Sequence, residues 1–423
     1  MTAWRCACLL SWSARASSQT ILTRTTQRES GSGSGTGSAK GFMNFAFSED
    51  QLALRERYVR FADETLNRDM VSRDRDGVFS RENWQACADY GILGLSVPPE
   101  YGGCQVDLLT AMLGMEGLGY GCHDNGLTFG LNAQLWTVQL PIVRFGSEAQ
   151  KQRFLPPLCN GRSIGAHAIT EPEAGSDVFS LGTRAERCDG GYILNGTKHL
   201  VTFAPVADLA LVFATIDASK GRWGITAFLV EKGAQGYSAS TSQDKMGLRT
   251  VPIGSITFHD CFVREDQRIG PEGAGASIST HSFEIERCCI LASQLGAMER
   301  QMETAIRFAR DRRQFGQAIG KFQSVANRIA DMRLRLETSR LLLYKVAWLK
   351  SMDKPAMLEA ALLKLHLSES FVESGLDAIR IHGGTGYLTD SGIERDLRDA
   401  VGGTLYAGTS DIQRVIIAKA LGL

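Results

Sequence analysis

Two glycine-containing segments have the composition of ligand-binding loops. Ala168–Ser180 reads AITEPEAGSDVFS, and its centre, Ala174–Asp177, predicts a tight turn whose exposed amides and hydroxyls suit an anionic or carbonyl-rich ligand. His382–Tyr387 reads HGGTGY, where three glycines within four residues would let the backbone approach another molecule closely. Taken singly, each segment is also compatible with a purely structural turn or helix corner.

One glutamate has neighbours that suit proton transfer. At helical spacing, Glu286 shares a face with Ser282, Cys289 and Ser293, whose small side chains would leave room for a ligand beside the carboxylate. A base that works near neutral pH needs a pKa raised by burial, and the adjacent Arg287 would oppose that shift. The structural alternative is an acidic residue near the start of a helix, where the helix dipole favours it.

The elements that must position these residues follow a helical, then β, then helical order. In the first part, apolar residues recur with helical spacing over 48–68, 108–118 and 148–158. Short β-branched or aromatic runs then predict strands over 191–195, 209–215, 225–231 and 256–262. Long amphipathic stretches follow over 280–312, 321–351, 354–382 and 409–421. This order predicts a helical domain over 43–163, an antiparallel β domain over 164–273 and a helical domain over 274–423.

Composition and missing motifs exclude several classes of protein. Among 423 residues, 46 Lys and Arg balance 46 Asp and Glu, so the basic excess that is typical of nucleic-acid binding is absent. No apolar stretch approaches the roughly 18 residues needed to span a membrane. The sequence contains no P-loop, dinucleotide-binding fingerprint or GxSxG elbow, and neither its cysteines nor its histidines have the spacing of a metal site.

Residues 1–42 differ from the rest of the chain. They are rich in Arg, Ser and Thr, contain one acid, Glu29, and include the linker-like run SGSGSGTGS at Ser30–Ser38. This composition fits a disordered extension or a start codon upstream of Met43, and it also fits a mitochondrial transit peptide. The Gly-Ser run is unlike a transit-peptide cleavage region, so we expect a bacterial cytoplasmic protein, with the mitochondrial matrix as the alternative.

Several segments then stand in a characteristic order along the chain: Ala168–Ser180, Asn195–Lys198, Asp311–Gln317, His382–Asp399 and Ala407–Arg414. Together they resemble the acyl-CoA dehydrogenase family of flavoproteins over 43–423. The resemblance implies an α+β fold of three domains, of which the last is a four-helix bundle. It also implies a homotetramer that binds FAD between the β domain and the bundle, with part of each site supplied by a neighbouring subunit.

The resemblance also implies which residue is the catalytic base. Much of the family has a glutamate just before the Gly-Thr of the last motif, but this chain has Ala407 there, which cannot accept a proton. The isovaleryl-CoA dehydrogenase-like branch instead has its glutamate early in the first bundle helix, before an arginine. That position is Glu286 here, and Glu284 is the fallback.

Further roles follow residue by residue from the same resemblance. The expected FAD contacts are Thr170, Ser176, Thr202, Arg312, Gln323, Arg380, Gly383, Gly384, Thr409 and Asp411. The expected substrate contacts are Ser176, Arg287, Ala407 and Gly408, where the Gly408 N–H could stabilise the thioester oxygen. Two departures stand out: Leu200 replaces a tryptophan that usually packs on the flavin, and Arg380 replaces a common glutamine.

The expected activity is the FAD-dependent introduction of a 2,3-double bond into a short or branched acyl-CoA. Glu286 would remove the α-proton, and the flavin would take the β-hydride. The alternative is the same chemistry on an acyl or aminoacyl group, such as prolyl, tethered to a carrier protein. A flavin monooxygenase on this fold is the third possibility, against which Glu286 argues. The electron acceptor is expected to be an electron-transfer flavoprotein or another acceptor, and no metal or nucleic acid is expected to bind.

Overall fold

The computed structural model describes residues 46–423, so the predicted extension over 1–42 lies outside the described residues. Within the described range the chain forms a set of helices, then a sheet, then a second set of helices, as the sequence pattern predicted. No helix in this range is long and apolar enough to cross a membrane. The domain limits at 43–163, 164–273 and 274–423 remain predictions.

The first helical region lies between residues 49 and 159. Its helices are α1 (Glu49–Thr65), α2 (Met70–Asp76), α3 (Arg81–Asp89), α4 (Leu108–Gly121), α5 (Asn125–Ala133), α6 (Leu140–Phe145) and α7 (Glu148–Cys159), with a π-helix at Gln134–Gln139. Asp107 caps α4 by accepting a hydrogen bond from the Thr110 N–H, and Ser147 forms a reciprocal capping box with Gln150 on α7. Local capping residues therefore fix where these helices begin.

The sheet contains β1 (Gly165–Ala168), β2 (Arg184–Cys188), β3 (Gly191–Thr202), β4 (Leu209–Thr215), β5 (Ile225–Glu231), β6 (Tyr237–Ala239), β7 (Ile253–Arg264) and β8 (Arg268–Ile269). Its strand order is β6-β7-β3-β2-β4-β5-β8, and β1 pairs with β4. Most pairs are antiparallel, as predicted, but β1 and β2 both run parallel to β4. These pairs are not joined by a tight turn, so a hairpin pattern in the sequence does not fix their direction.

Strand β4 shows how the sheet is buried on both faces. Leu209, Leu211 and Phe213 belong to one apolar cluster, whereas the alternate residues Val212 and Ala214 belong to another. This alternation follows from the two-residue period of a strand, and it explains why β4 reads as a continuous apolar run. The predicted bounds of β4 and β5 are confirmed, whereas β1, β2, β6 and β8 are short and have no counterpart among the predicted strands.

The second helical region contains α8 (Gly275–Cys289), α9 (Ala292–Asp311), α10 (Gln323–Ser351), α11 (Met357–His382), α12 (Ile393–Gly403) and α13 (Ser410–Ala420), with a two-stranded hairpin of β9 (Arg313–Gln314) and β10 (Gln317–Ala318). The predicted stretch over 280–312 is two helices, α8 and α9. Helix α12 was not predicted from apolar spacing, because its buried residues include Arg395, Asp396 and Asp399.

Helices α4 and α9 approach unusually closely through glycine. A Cβ added at Gly119 would lie 1.8 Å from the Ser293 carbonyl oxygen, and one added at Gly296 would lie 1.9 Å from the Glu116 carbonyl oxygen. Only glycine permits this backbone contact between the first and second helical regions. The contact packs the first turns of α9 directly against α4, just after the connection over 290–291 that follows α8.

Candidate active site

A cavity of ≈ 660 Å³ is lined by residues from the sheet, from α8 and from the segment between α12 and α13. Many of the residues predicted from the sequence meet here, although they come from distant parts of the chain. They are Thr170, Ser176, Thr202, Glu286, Arg287, Ala407, Gly408 and Thr409. The tertiary structure thus brings the predicted base, the predicted substrate contacts and part of the predicted FAD contacts into one site.

Glu286 presents a half-buried carboxylate to the cavity from the last turns of α8. Burial raises the pKa of this carboxyl to about 7, against the opposing effects of the Arg287 guanidinium and the Lys364 ammonium. A carboxyl with such a pKa can exchange a proton readily near neutral pH. Its surroundings therefore match what a general base in this position requires.

Glu284 is committed elsewhere and does not line the cavity. Its carboxylate accepts a hydrogen bond from the Ala356 N–H just before α11 and pairs with Lys350 Nζ at 3.3 Å on α10. These contacts tie α8 to the two neighbouring helices. The fallback assignment of Glu284 as the base is therefore not supported by its position.

A buried ion pair anchors the first glycine-containing segment to the sheet. Lys198 Nζ on β3 lies 2.6 Å from Glu171 Oε1 and also donates to the Ile169 carbonyl at 3.2 Å. The same Glu171 carboxylate accepts hydrogen bonds from the Gly182 and Thr183 N–H groups. Thr170 is held between the two residues that Lys198 contacts, so this pair sets the position of a predicted FAD contact.

Three cavity-lining hydroxyls, those of Thr170, Ser176 and Thr202, make no hydrogen bond to any described residue. A Cβ added at Gly175 would meet nothing within 4 Å, so the loop beside Ser176 leaves open space. These free donors and this space fit the polar edge of a flavin, the reactive ring of FAD. Leu200 lines the same cavity with 55% of its surface exposed, and it offers an apolar wall without an aromatic ring.

The cavity wall contains an unusual number of non-glycine residues in the left-handed region. Leu200 (φ 52°), Phe203 (φ 69°), Leu248 (φ 50°) and Ala407 (φ 54°) all line it. This backbone conformation costs a non-glycine residue about 1–2 kcal/mol, and such residues concentrate at functional sites. Nothing in the sequence pattern signalled these conformations.

The segment before α13 is held in place by its own hydrogen bonds. Gln413 Nε2 donates to the carbonyl oxygens of Ala407 (3.2 Å) and Gly408 (2.9 Å), and the Thr409 hydroxyl caps α13 by accepting from the Ile412 N–H. The Gly408 N–H donates to no acceptor among the described residues. It is therefore available to a ligand carbonyl in the cavity.

The remaining predicted FAD contacts lie outside the cavity. Arg312, Gln323, Gly383, Gly384 and Asp411 are exposed, and Arg380 pairs with Asp377 at 3.4 Å. Asp377 also pairs with Arg328 of α10, so the start of α10 lies beside the end of α11. A single chain does not bring these residues to the cavity, and their role as FAD contacts stays a prediction.

Some cavity residues were missed by the sequence analysis. His167 on β1 has an Nε2 atom without a hydrogen-bond partner, and burial, together with Lys198, lowers the pKa of this imidazole to about 4. Tyr406 packs against Phe129 with ring centroids 4.5 Å apart, and its hydroxyl accepts from Gln294. The position of Tyr406 directly before Ala407 in the sequence was the signal that could have identified it as a cavity residue. No group of three or more potential metal-ligating side chains occurs within residues 46–423.

Family models match most of the chain in three consecutive parts. The acyl-CoA dehydrogenase N-terminal domain matches residues 48–162, the middle domain matches residues 166–261, and the C-terminal domain matches residues 273–422.

Individual relatives cover nearly the whole chain. The L-prolyl-(peptidyl-carrier protein) dehydrogenase of Serratia sp. is 41% identical over 381 residues, which are 90% of this chain and 99% of that protein. The mitochondrial isovaleryl-CoA dehydrogenase of Oryza sativa subsp. japonica is 36% identical over 377 residues, or 89% of this chain and 92% of that protein.

Solved structures give the same picture. The crystal structure of the prolyl acyl carrier protein oxidase AnaB is 48% identical, with a TM-score of 0.88 over 89% of this chain and 100% of that one. The structure of PigA with FAD and proline is 41% identical, with a TM-score of 0.88 over 90% of this chain and 100% of that one.

Proposed function

Because the chain belongs to the acyl-CoA dehydrogenase family of FAD-dependent oxidoreductases, we propose that it dehydrogenates a prolyl group held as a thioester on a carrier protein. Identities of 41% and 48% to proteins named for prolyl carrier substrates, against 36% to an isovaleryl-CoA dehydrogenase, support the carrier-tethered alternative over an acyl-CoA substrate. The observation that carries the dehydrogenation itself is Glu286, which faces the cavity with a pKa of about 7.

Glu286 is the proposed base. Its carboxylate accepts the proton from the carbon next to the thioester carbonyl, which is acidic because the resulting negative charge is shared with the carbonyl oxygen. The Gly408 N–H, which has no acceptor in the described chain, is the proposed donor to that oxygen. Ala407 leaves space for the thioester at the position where other family members carry a glutamate. Bound FAD supplies the acceptor for the hydride.

The proposed FAD site has two parts. Thr170, Ser176, Thr202 and Thr409 line the cavity and would hold the flavin end. The remaining proposed contacts are exposed on the second helical region. Arg312 and Gln323 would hold the phosphates and adenosine of an FAD across a subunit interface in a homotetramer. Arg380, Gly383 and Gly384 would form the adenosine-side loop, and Asp411 belongs to the same segment as Thr409. Three large apolar or aromatic side chains in these segments, Phe315 (94%), Tyr387 (80%) and Leu388 (61%), are exposed, and a neighbouring subunit would cover them.

The location and the electron acceptor are also proposals. The similarity to the Serratia dehydrogenase supports a bacterial protein located in the cytoplasm. One relative is named a dehydrogenase, which corresponds to a protein acceptor such as an electron-transfer flavoprotein. Another is named an oxidase, which corresponds to oxygen as the acceptor. Oxygen consumption during turnover, measured with and without an electron-transfer flavoprotein, separates the two acceptors.

The substrate is tested by anaerobic reduction of the bound flavin. We expect L-proline loaded on a phosphopantetheinylated peptidyl carrier protein to bleach the visible flavin band faster than L-prolyl-CoA or isovaleryl-CoA. Faster bleaching by isovaleryl-CoA would overturn the carrier proposal and restore the acyl-CoA interpretation. A flavin that no thioester bleaches would favour the monooxygenase alternative.

The base is tested with a matched pair of variants on α8. Glu286→Gln should retain FAD and lower the rate of flavin reduction about 10³-fold, because the proton acceptor is gone. Glu284→Gln is the control: it removes the same charge two residues away, at a carboxylate that does not line the cavity, and should reduce the flavin at close to the normal rate. Equal losses in both variants would contradict the assignment.

A further inference from the structure

A lysine on α11 lies on the face of that helix that packs against the proposed base. Arg287 Nη1 on α8 contacts Met357 Sδ on α11 at 3.2 Å, which fixes the face of α11 that meets α8. Lys364 follows Met357 by two helical turns on the same face, and the fully buried Ala360 and Ala361 lie between them. Lys364 therefore lies in the interface with α8.

The ammonium group of Lys364 is buried and has no hydrogen bond. The side chain is 0% exposed, and Nζ has no hydrogen-bond partner among the described residues. A buried, unpaired ammonium is costly, and replacing it with an apolar side chain would remove that cost. Lys364 does not line the cavity, whereas Glu286 does. The charge therefore acts on Glu286 from the protein side and leaves the cavity side to a ligand.

The charges around Glu286 are few. Arg287 and Lys364 both lower its pKa, against the larger effect of burial. Burial, together with Arg287, lowers the pKa of Lys364 to about 8, while Glu286 and Glu369, which pairs with Arg414, raise it. Two further cations on neighbouring helices act on other residues of α8: Lys350 of α10 pairs with Glu284, and Arg144 of α6 acts on His281. The π-helix at Gln134–Gln139, which also packs against α8, has no titratable residue.

We infer that Lys364 is a positioning residue that holds Glu286 in its ionised, proton-accepting form without occupying the carboxylate oxygens. The inference rests on the proposed role of Glu286 as the base. A hydrogen-bonded lysine would stabilise the carboxylate further but would compete with the substrate proton for it. A charge that is close but not hydrogen bonded favours the ionised form and leaves both oxygens free.

The first test is the pH dependence of flavin reduction in Lys364→Met. The acidic limb is the pH range in which the rate falls as Glu286 becomes protonated. Removing the cation should move this limb to a pH about one unit higher, which is the low end of the pKa shift caused by a neighbouring opposite charge. At pH 7 this corresponds to a rate about fivefold below that of the wild type, whereas at pH 9.5 the two rates should agree. Lys345→Met is the matched control. It removes a lysine charge on α10 that pairs with Glu359, and the acidic limb should stay at its wild-type pH.

A loss that is equal at all pH values would overturn the inference, because it would indicate a structural role. If Lys364→Met does not fold, Lys364→Gln and Lys364→Arg replace it. The neutral glutamine should shift the limb, and the charged arginine should leave it close to the wild-type position. The inference is contradicted if the acidic limb does not shift with a neutral residue at position 364, or if it shifts with arginine.

The second test measures the protonation of the Glu286 carboxyl directly, without enzyme turnover. Infrared difference spectra between pH 5 and 9 should contain a protonated-carboxyl component that is lost in Glu286→Gln; comparison with that variant separates it from Asp399, whose buried carboxyl also has a pKa raised to about 7. The midpoint of the Glu286 component should rise in Lys364→Met. An unchanged midpoint would overturn the inference. If the wild-type flavin is not reduced by any prolyl thioester, the proposed substrate is wrong, and this titration still decides the role of Lys364.

Discussion

Two fully buried lysines lie near the cavity in opposite arrangements. Lys198 donates to Glu171 at 2.6 Å and to a backbone carbonyl, and backbone N–H groups complete the coordination of the Glu171 carboxylate. Lys364 lies near Glu286 but makes no hydrogen bond, and Glu286 presents its carboxylate to the cavity. Burial lowers the pKa of both lysines to about 8, against the opposing effect of Glu171 on Lys198 and of Glu286 and Glu369 on Lys364, which Arg287 lowers further.

The difference lies in what remains available on each carboxylate. Every contact of Glu171 is made within the protein, so the pair can only hold the Thr170 segment against β3. Glu286 keeps its oxygens for a ligand, and the cation beside it adjusts its charge state. The same two residue types thus stabilise structure where they are hydrogen bonded, and we propose that they support chemistry where they are not.

The largest effect is expected from breaking the hydrogen-bonded pair. Lys198→Met leaves the Glu171 carboxylate buried without its cation and should lower the free energy of unfolding by about 3–5 kcal/mol. Denaturant unfolding followed by circular dichroism measures this. Adding Glu171→Gln should recover part of the loss, because the uncompensated charge is removed. If Lys198→Met alone is as stable as the wild type, the ion pair does not anchor this segment.

A second effect concerns the pH dependence at the open site. With a pKa of about 7, Glu286 is ionised above that pH and protonated below it. Flavin reduction should therefore reach a plateau above about pH 8 and fall about tenfold per unit well below 7. A cyclopentanecarbonyl thioester serves as the control, since it lacks the prolyl amine and its titration. A flat profile between pH 5 and 9 for that substrate would contradict the role of Glu286.

The smallest effect is expected at a third pair, which is more accessible to water. Lys350 and Glu284 lie 3.3 Å apart with side chains 17% and 13% exposed. Glu284→Gln keeps an acceptor for the Ala356 N–H and loses the charge, so we expect about 1 kcal/mol lower stability. Thermal unfolding of the holoenzyme measures it. A loss as large as that of Lys198→Met would remove the distinction between exposed and buried pairs.

Much of the fold could be predicted because its signals are local. Strands β4 and β5 have the predicted bounds, since buried strands read as continuous apolar runs between turns. Helix α12 was missed because charged residues occupy its buried face, and α8 and α9 were predicted as one stretch. The parallel pairing of β1 with β4 joins segments far apart in sequence, and no local pattern encodes it.

The candidate site was predicted in part. Glu286, Ala407 and Gly408 were singled out from motifs, and the structure brings all three to one cavity. His167 and Lys364 were not singled out, because a lone histidine in a strand and a lone lysine in an amphipathic helix resemble ordinary residues of those elements. Their significance depends on burial and on the lack of a hydrogen-bond partner.

The sequence by itself determined the order of helical and β regions and the family, because each depends on residue type and spacing. It also singled out Glu286 as the proposed base, because Ala407 cannot accept a proton. Only the tertiary structure decided that Glu284 is engaged with Lys350 while Glu286 is free, although the two are separated by one residue. It also decided that Lys198 is hydrogen bonded and Lys364 is not. The physical reason is that pKa and hydrogen bonding depend on neighbours brought together by folding across long stretches of chain, which spacing alone does not specify.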